Sequence, residues 1–85
     1  MPSVSRKPKA DKGKMVVQSV LVPKKGFSKE KAKAWVSSHK FYTGGMDESS
    51  DYYRFRQYNP EHFSRMRTKA FPGGRGIKAV YGVVK

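Results

Sequence analysis

Basic side chains alternate with other residues along two stretches of the sequence. One stretch carries Arg54 and Arg56 between two tyrosines, and the other carries Arg65, Arg67 and Lys69. Residues two apart in a β-strand point to the same face of the sheet, so each stretch would present a basic row if it were extended. A guanidinium binds phosphate through paired hydrogen bonds, and a tyrosine ring can stack on a nucleobase. A sheet presenting both rows is a workable platform for a single strand or a duplex of nucleic acid, although the same alternation is also typical of the solvent side of a half-buried sheet.

The chain as a whole is strongly basic. It has 85 residues with 19 Lys or Arg against 6 Asp or Glu, a formal net charge of +13. By region the net charge is +4 over residues 1–14, +5 over 15–40, −1 over 41–58 and +5 over 59–85. A polyanion would avoid the acidic cluster at residues 47–51 and contact the other regions. The predicted nucleic-acid or polyanion-binding residues are Arg6, Lys7, Lys9, Lys12, Lys14, Lys29, Lys33, Arg54, Arg56, Arg65, Arg67, Lys69 and Arg75.

The residue inventory argues against catalysis and against a metal site. There is no cysteine, and the two histidines, His39 and His62, lie too far apart in sequence to form a ligand pair on one helix turn. No nucleophile, base and orienting group can be assembled from the remaining side chains. We therefore expect a protein that is not an enzyme, with no metal, no cofactor and no small-molecule substrate. The longest apolar runs are far shorter than the roughly 20 residues of a membrane span, and we expect neither membrane contact nor secretion.

Hydrophobic periodicity predicts an α+β domain behind a basic tail. Residues 1–14 show no periodic apolar pattern and are expected to be disordered until a partner orders them. Residues 15–85 are expected to form one small domain, an antiparallel sheet of three to four strands with one helix packed on a face through Trp35 and Val36. The predicted elements are a strand over 15–22, a helix over 29–40, a loop or short irregular strand within 41–51, a strand over 52–58, one helical turn over 60–63, and strands over 65–71 and 77–84.

Local signals refine these elements. Ser28 is a natural N-cap for the helix. Simple alternation places Val16, Gln18 and Val20 on one face of the first strand, and both of its faces are mostly apolar, which predicts a central strand or one covered on two sides. The Pro- and Gly-rich residues 72–76 predict a hairpin turn between the last two strands, although backbone N–H groups in such a turn could also hold a phosphate.

Four stretches together resemble a known domain. They are Val17-Gln18-Ser19-Val20-Leu21-Val22-Pro23-Lys24 followed by the helix with Ala32 and Trp35, Asp47-Glu48 with Tyr52-Tyr53-Arg54-Phe55-Arg56-Gln57, Phe63 with Arg67-Thr68, and Gly76-Ile77-Lys78-Ala79-Val80-Tyr81-Gly82. This pattern resembles a small domain of tailed bacteriophages and large DNA viruses, which occurs alone or beside phage head-maturation protease modules. The resemblance implies a viral source, a virion or genome context, and location in the host cytoplasm or the virion. It brings no catalytic residues.

The Arg-Phe-Arg-Gln run is the most specific part of this resemblance. Arg54 and Arg56 either contact the ligand or serve the structure, for example by pairing with the Asp47-Glu48 loop. The predicted binding role of the basic residues outside this run is the same in either case. Nucleic acid therefore remains the first candidate partner.

Three functions compete at this point. The first is a module that binds the nucleic-acid backbone in a virion or genome-associated context. The second is a minor capsid or cement protein whose basic tail docks on an acidic capsid shell. The third is a regulatory protein that binds an acidic host factor. The charge excess favours a polyanion in general, and the alternating Arg and Tyr residues favour nucleic acid among polyanions.

Overall fold

The computed structural model of the protein describes residues 8, 10–71 and 75–85. Within these residues there are five strands, one α-helix and one short 3-10 helix. In chain order they are β1 (Met15–Pro23), α1 (Lys29–Ser38), β2 (Met46–Glu48), β3 (Tyr52–Arg56), the 3-10 helix (Pro60–His62), β4 (Phe63–Ala70) and β5 (Lys78–Val84). The α+β class with one helix is confirmed, whereas the predicted number of strands, three to four, was wrong.

The strands form one antiparallel sheet in the order β2-β3-β1-β5-β4. β1 lies at the centre of the sheet, as its two apolar faces predicted, and β4 and β5 pair as neighbours. The additional strand is β2, which pairs with β3 at one edge. Its three residues are too few to show a period of two, so periodicity predicts it only weakly.

Helix α1 begins and ends on recognisable caps. The side chain of Ser28 accepts a hydrogen bond from the Lys31 N–H at 3.2 Å, which confirms the N-cap. The helix ends at Ser38 rather than at residue 40, because Lys40 turns into the left-handed region with φ 63°. The N–H of Phe41 then donates to the Val36 carbonyl (3.0 Å) and that of Lys40 to the Ser37 carbonyl (2.9 Å). This pair of bonds is the Schellman motif that satisfies the last carbonyls of a helix.

The helix covers only part of one face of the sheet. We call this side the helix face; it carries Val20 and Phe55, and the other side, which carries Leu21, is the open face. The fully buried core consists of Val20, Val22, Ala32, Val36, Phe55 and Ile77. Trp35 is half-buried beside this core and meets the ring of Phe71 edge-on, with centroids 5.3 Å apart. The predicted packing of the helix through Trp35 and Val36 is present.

A β-bulge at Gln18 changes the phase of β1. Val17 pairs with Tyr81, but Ser19, two residues later, pairs with the next residue along, Val80. Met15 and Val17 therefore share the helix face with Val20, although they are an odd number of residues away from it. The sequence-based grouping of Val16 and Gln18 with Val20 was wrong for this reason.

The described part of the predicted tail is attached to the end of the sheet. The N–H of Gly13 donates to the Val84 carbonyl, and the N–H of Val84 donates to the Lys14 carbonyl, both at 2.9 Å. These bonds place Lys12 and Lys14 beside the end of β5. The predicted binding residues Arg6, Lys7 and Lys9 lie outside the described residues, as does the segment 72–74 of the predicted turn.

Candidate functional site

The two basic rows lie on opposite faces of the sheet. Arg54 pairs with Leu21 in β1, whereas Lys69 pairs with Ala79 in β5, which in turn pairs with Val20. Paired residues in an antiparallel sheet point to the same side, and Val20 and Leu21 are consecutive. The row with Arg54 is therefore on the open face and the row with Lys69 on the helix face. Two strands, β1 and β5, also separate β3 from β4, so the two rows do not form one platform.

The row on β4 borders a shallow groove in the part of the helix face that α1 leaves uncovered. The groove is lined by Met15, Arg65, Arg67, Lys69, Tyr81 and Val83 and has a volume of about 160 Å³. Arg65 pairs across the strands with Val83, and Arg67 pairs with Tyr81. Because β4 is an edge strand and its residues from Ser64 to Ala70 are all exposed, these cationic side chains form the outer rim of the groove.

A second groove continues the first towards the end of the helix. It is lined by Val16, Val17, Lys40, Phe41, Gln57 and Tyr58, together with Met15 and Tyr81 of the first groove. We call the combined surface the trough. The trough consists of Met15, Val16, Val17, Lys40, Phe41, Gln57, Tyr58, Arg65, Arg67, Lys69, Tyr81 and Val83.

The bulge in β1 builds the floor of the trough. By turning Met15 and Val17 to the helix face, it places apolar side chains beside Tyr81. The Gln18 amide donates to the Tyr58 carbonyl at 2.7 Å, and its carbonyl oxygen accepts from the Ser19 hydroxyl at 2.7 Å. Gln18 and Ser19 are buried, so these hydrogen bonds satisfy polar groups that would otherwise destabilise the sheet. The same bonds hold the chain at Tyr58 against the end of β1.

The wall opposite β4 is held by a glutamine clamp. The N–H of Tyr42 donates to the Gln57 side-chain oxygen at 2.7 Å, and the Gln57 amide donates to the Tyr42 carbonyl at 2.8 Å. Gln57 is only 4% exposed. This two-way contact fixes residues 41–42 against the end of β3, and the Schellman motif fixes the same segment to the helix. Phe41 and Lys40 thereby have defined positions beside the floor.

Charge is separated between two corners of the molecule. Among the described residues, no Asp or Glu lines either groove of the trough. The acidic cluster lies at the opposite end of β1, where the Lys24 N–H donates to the Asp51 carbonyl. There Glu48 is 3.3 Å from the Lys24 ammonium and 3.4 Å from that of Lys29. The hydrogen bond and charge of Lys24, with those of Lys29, hold the pKa of Glu48 below its ordinary value of 4.5.

The remaining predicted residues are dispersed. Lys29 is engaged with Glu48, and Lys33 lies on the exposed side of α1. Arg54 is half-buried on the open face, directly across from Asp47 in β2, and Arg56 lies on the same face. Arg75 is exposed, with a left-handed φ of 51°. The trough thus contains three of the predicted residues, those of β4.

Sequence reasoning had named Tyr58 for base stacking, but in the row of Arg54 and Arg56 rather than at the trough. The trough residues that it missed include Lys40, Phe41 and Tyr81. Tyr81 had a usable signal, because the hairpin of β4 and β5 and the shared alternation place it beside the β4 row once the register is known. Lys40 and Phe41 come from the segment that follows α1, and Tyr58 comes from the segment that follows β3. Only the packing of the chain brings them to the trough.

No known protein family, curated protein or solved structure matches this chain. The resemblance to a viral domain therefore stays a prediction. In the described part of the chain, no helix is long and apolar enough to cross a membrane. Within the same residues, no three His, Asp or Glu side chains are grouped closely enough to hold a metal ion.

Proposed function

We propose that this protein is a non-enzymatic module that binds the nucleic-acid backbone, in a virion or genome-associated context. The observation that carries the proposal is the composition of the trough. Four cationic side chains border an apolar and aromatic floor, and no acidic side chain lines it among the described residues. Arginine and lysine in this arrangement attract phosphate, and the aromatic floor suits nucleic acid better than a purely ionic polymer.

The open shape of the trough favours a surface-bound polymer over an enclosed small molecule. The groove beside the basic row has about 160 Å³ and the second groove about 400 Å³, and the second value lies within the range of about 300–1,000 Å³ of pockets that bury a drug-sized ligand. Neither groove is enclosed, however, and both are open to solvent. A long ligand could therefore enter from the side and continue beyond the protein.

The proposal is tested by measuring binding to nucleic acids across a salt series. Each phosphate contact contributes about 0.7–0.9 to the slope of log K against log salt, so four trough contacts give a slope of about −3 or steeper. The triple variant Arg65→Gln, Arg67→Gln, Lys69→Gln should make the slope shallower by about 2. Fluorescence anisotropy with labelled DNA and RNA between about 50 and 200 mM salt measures both quantities.

A matched control separates the site from the overall charge. The variant Lys25→Gln, Lys31→Gln, Lys33→Gln also removes three charges from exposed positions, and it should change affinity much less than the β4 variant. Equal loss in both variants would show that only net charge matters. A flat salt dependence, or equally tight binding to polyglutamate, would contradict a nucleic-acid ligand and favour an acidic protein surface.

A further inference from the structure

We propose that the trough accommodates one nucleic-acid strand, with phosphates along the β4 rim and at least one unpaired base stacked on Tyr81. This inference rests on the proposed function and specifies its ligand. It is carried by the position of Tyr81, which is the aromatic residue common to both grooves.

Tyr81 lies in the middle of the trough floor. Across the strands it pairs with Val17 on one side and with Arg67 on the other. It is half-buried, so its ring is supported by the sheet and still accessible. A tyrosine held in this way loses little side-chain entropy when a base stacks on it, and stacking of this kind tolerates any base.

The rim matches a single backbone. Arg65, Arg67 and Lys69 follow one another in steps of two residues, about 6.7 Å along an extended strand. Consecutive phosphates of an extended nucleic-acid strand are separated by a similar distance. One line of cations can therefore follow one line of phosphates, while the bases project across the sheet towards Tyr81 and Phe41.

The floor favours a strand with unpaired bases over a duplex. The three strands β4, β5 and β1 span only about 10 Å across the trough, and the segment at Lys40 and Phe41 lies beyond them. In a double helix the flat faces of the bases are hidden by stacking. The aromatic floor therefore cannot stack on the bases of a duplex and adds no affinity for it. In a single strand those faces are available to tyrosine and phenylalanine.

The test compares ligands that share phosphate but differ in available bases. Oligothymidine and oligouridine, a GC-rich DNA duplex and inorganic polyphosphate are titrated against the full chain by competition anisotropy. We expect both single strands to bind at least about tenfold more tightly than the duplex near 150 mM salt. A strand that carries 2-aminopurine should also change its fluorescence on binding the wild-type protein, which reports base stacking without any substitution.

Substitutions then assign the stacking to Tyr81. Tyr81→Leu retains apolar area and should weaken single-strand binding about tenfold while leaving polyphosphate binding unchanged. Tyr81→Phe, which keeps the ring, should bind like the wild type. Arg67→Gln is the matched control and should weaken single-strand and polyphosphate binding alike. Thermal unfolding of each variant verifies that the fold is intact.

The outcomes separate this inference from the proposed function. Salt-dependent binding with equal affinity for duplex and single strand would overturn the stacking site and leave backbone binding standing. So would an unchanged 2-aminopurine signal in the wild-type complex, or equal losses of oligothymidine and polyphosphate binding in Tyr81→Leu. Failure of all four ligands to bind at low salt would overturn both proposals.

Discussion

At the scale of single residues, Lys40 stands in a position that favours glycine. It is the first residue past the cap of α1, and its φ of 63° lies in the left-handed region. A side chain with a Cβ pays about 1–2 kcal/mol there relative to the right-handed conformation. The Schellman bonds of Lys40 and Phe41 require this conformation. The chain therefore tolerates a local cost at a residue that also lines the trough.

Lys40→Gly should raise stability and lower affinity together. Removing the Cβ relieves the left-handed conformation, and the free energy of unfolding should rise by about 1 kcal/mol. The same change removes one cation from the trough and should make the salt slope for nucleic acid shallower by about 0.7. Urea unfolding and anisotropy measure the two effects.

A neutral residue that accepts the same conformation supplies the control. Lys40→Asn should lose the same affinity with a smaller gain in stability, because asparagine enters the left-handed region more readily than lysine but less readily than glycine. Full retention of affinity in both variants would remove Lys40 from the binding surface.

At the same scale, the Arg-Phe-Arg-Gln run contains residues with structural contacts. Phe55 is fully buried in the core, and Gln57 clamps Tyr42 through two hydrogen bonds. Arg54 lies across from Asp47 in β2. The structural contacts of Phe55 and Gln57 therefore account for these two residues of the run without a ligand.

At the scale of elements, the sequence predicted what depends on local period and composition. The N-cap of α1, the central place of β1 and the hairpin of β4 and β5 follow from such signals, whereas the Schellman end of α1 was not predicted. The bulges at Gln18 and near Ser64 do not follow from such signals. A bulge is a shift in the pairing of two strands, so it cannot be predicted from the local sequence of either strand alone. The trough floor depends on the first bulge. For this reason its basic rim could be predicted and its floor could not.

The second bulge, near Ser64 in β4, lies beside a glycine of the neighbouring strand, Gly82 of β5. Beyond it, Phe63 pairs with Val84 on the open face, and its ring lies over Gly82 of β5. A Cβ on Gly82 would overlap the atoms of that ring. Phe63 is only 6% exposed. The glycine thus makes room for an aromatic side chain that covers the end of the sheet.

Gly82→Ala should destabilise the protein by about 1–3 kcal/mol, because the added methyl group overpacks against Phe63. Chemical denaturation measures the loss. The double variant with Phe63→Leu should lose less than the sum of the two single variants, since the smaller side chain relieves the overlap. A gain in stability from Gly82→Ala, as expected for alanine in an uncrowded strand, would contradict this contact.

At the scale of the whole molecule, the cationic trough and the acidic cluster lie at diagonally opposite corners of the sheet. The trough lies at the Met15 end of β1 and beside the β4 edge, whereas the acidic cluster lies at the Pro23 end and beside the β2 edge. Lys69, the rim residue nearest the acidic cluster, is level with Val20 and so only about 10 Å from the Pro23 end along β1, but the four strand spacings from β4 to β2 put about 19 Å between the two edges. The screening length is about 8 Å at physiological ionic strength and about 30 Å at 0.01 M. The two corners should influence each other only at low salt.

Neutralising the acidic cluster tests this arrangement. The variant Asp47→Asn, Glu48→Gln, Asp51→Asn raises the net charge from +13 to +16, and circular dichroism verifies its fold. Its affinity for oligothymidine should change less than about twofold at 0.15 M salt and should rise clearly at 0.01 M, because only the longer screening length reaches the trough. The β4 variant should lose affinity under both conditions, since its charges contact the ligand. Equal tightening at both salt concentrations would instead place the ligand beside the acidic cluster, where Lys24 and Lys29 would be released from Glu48.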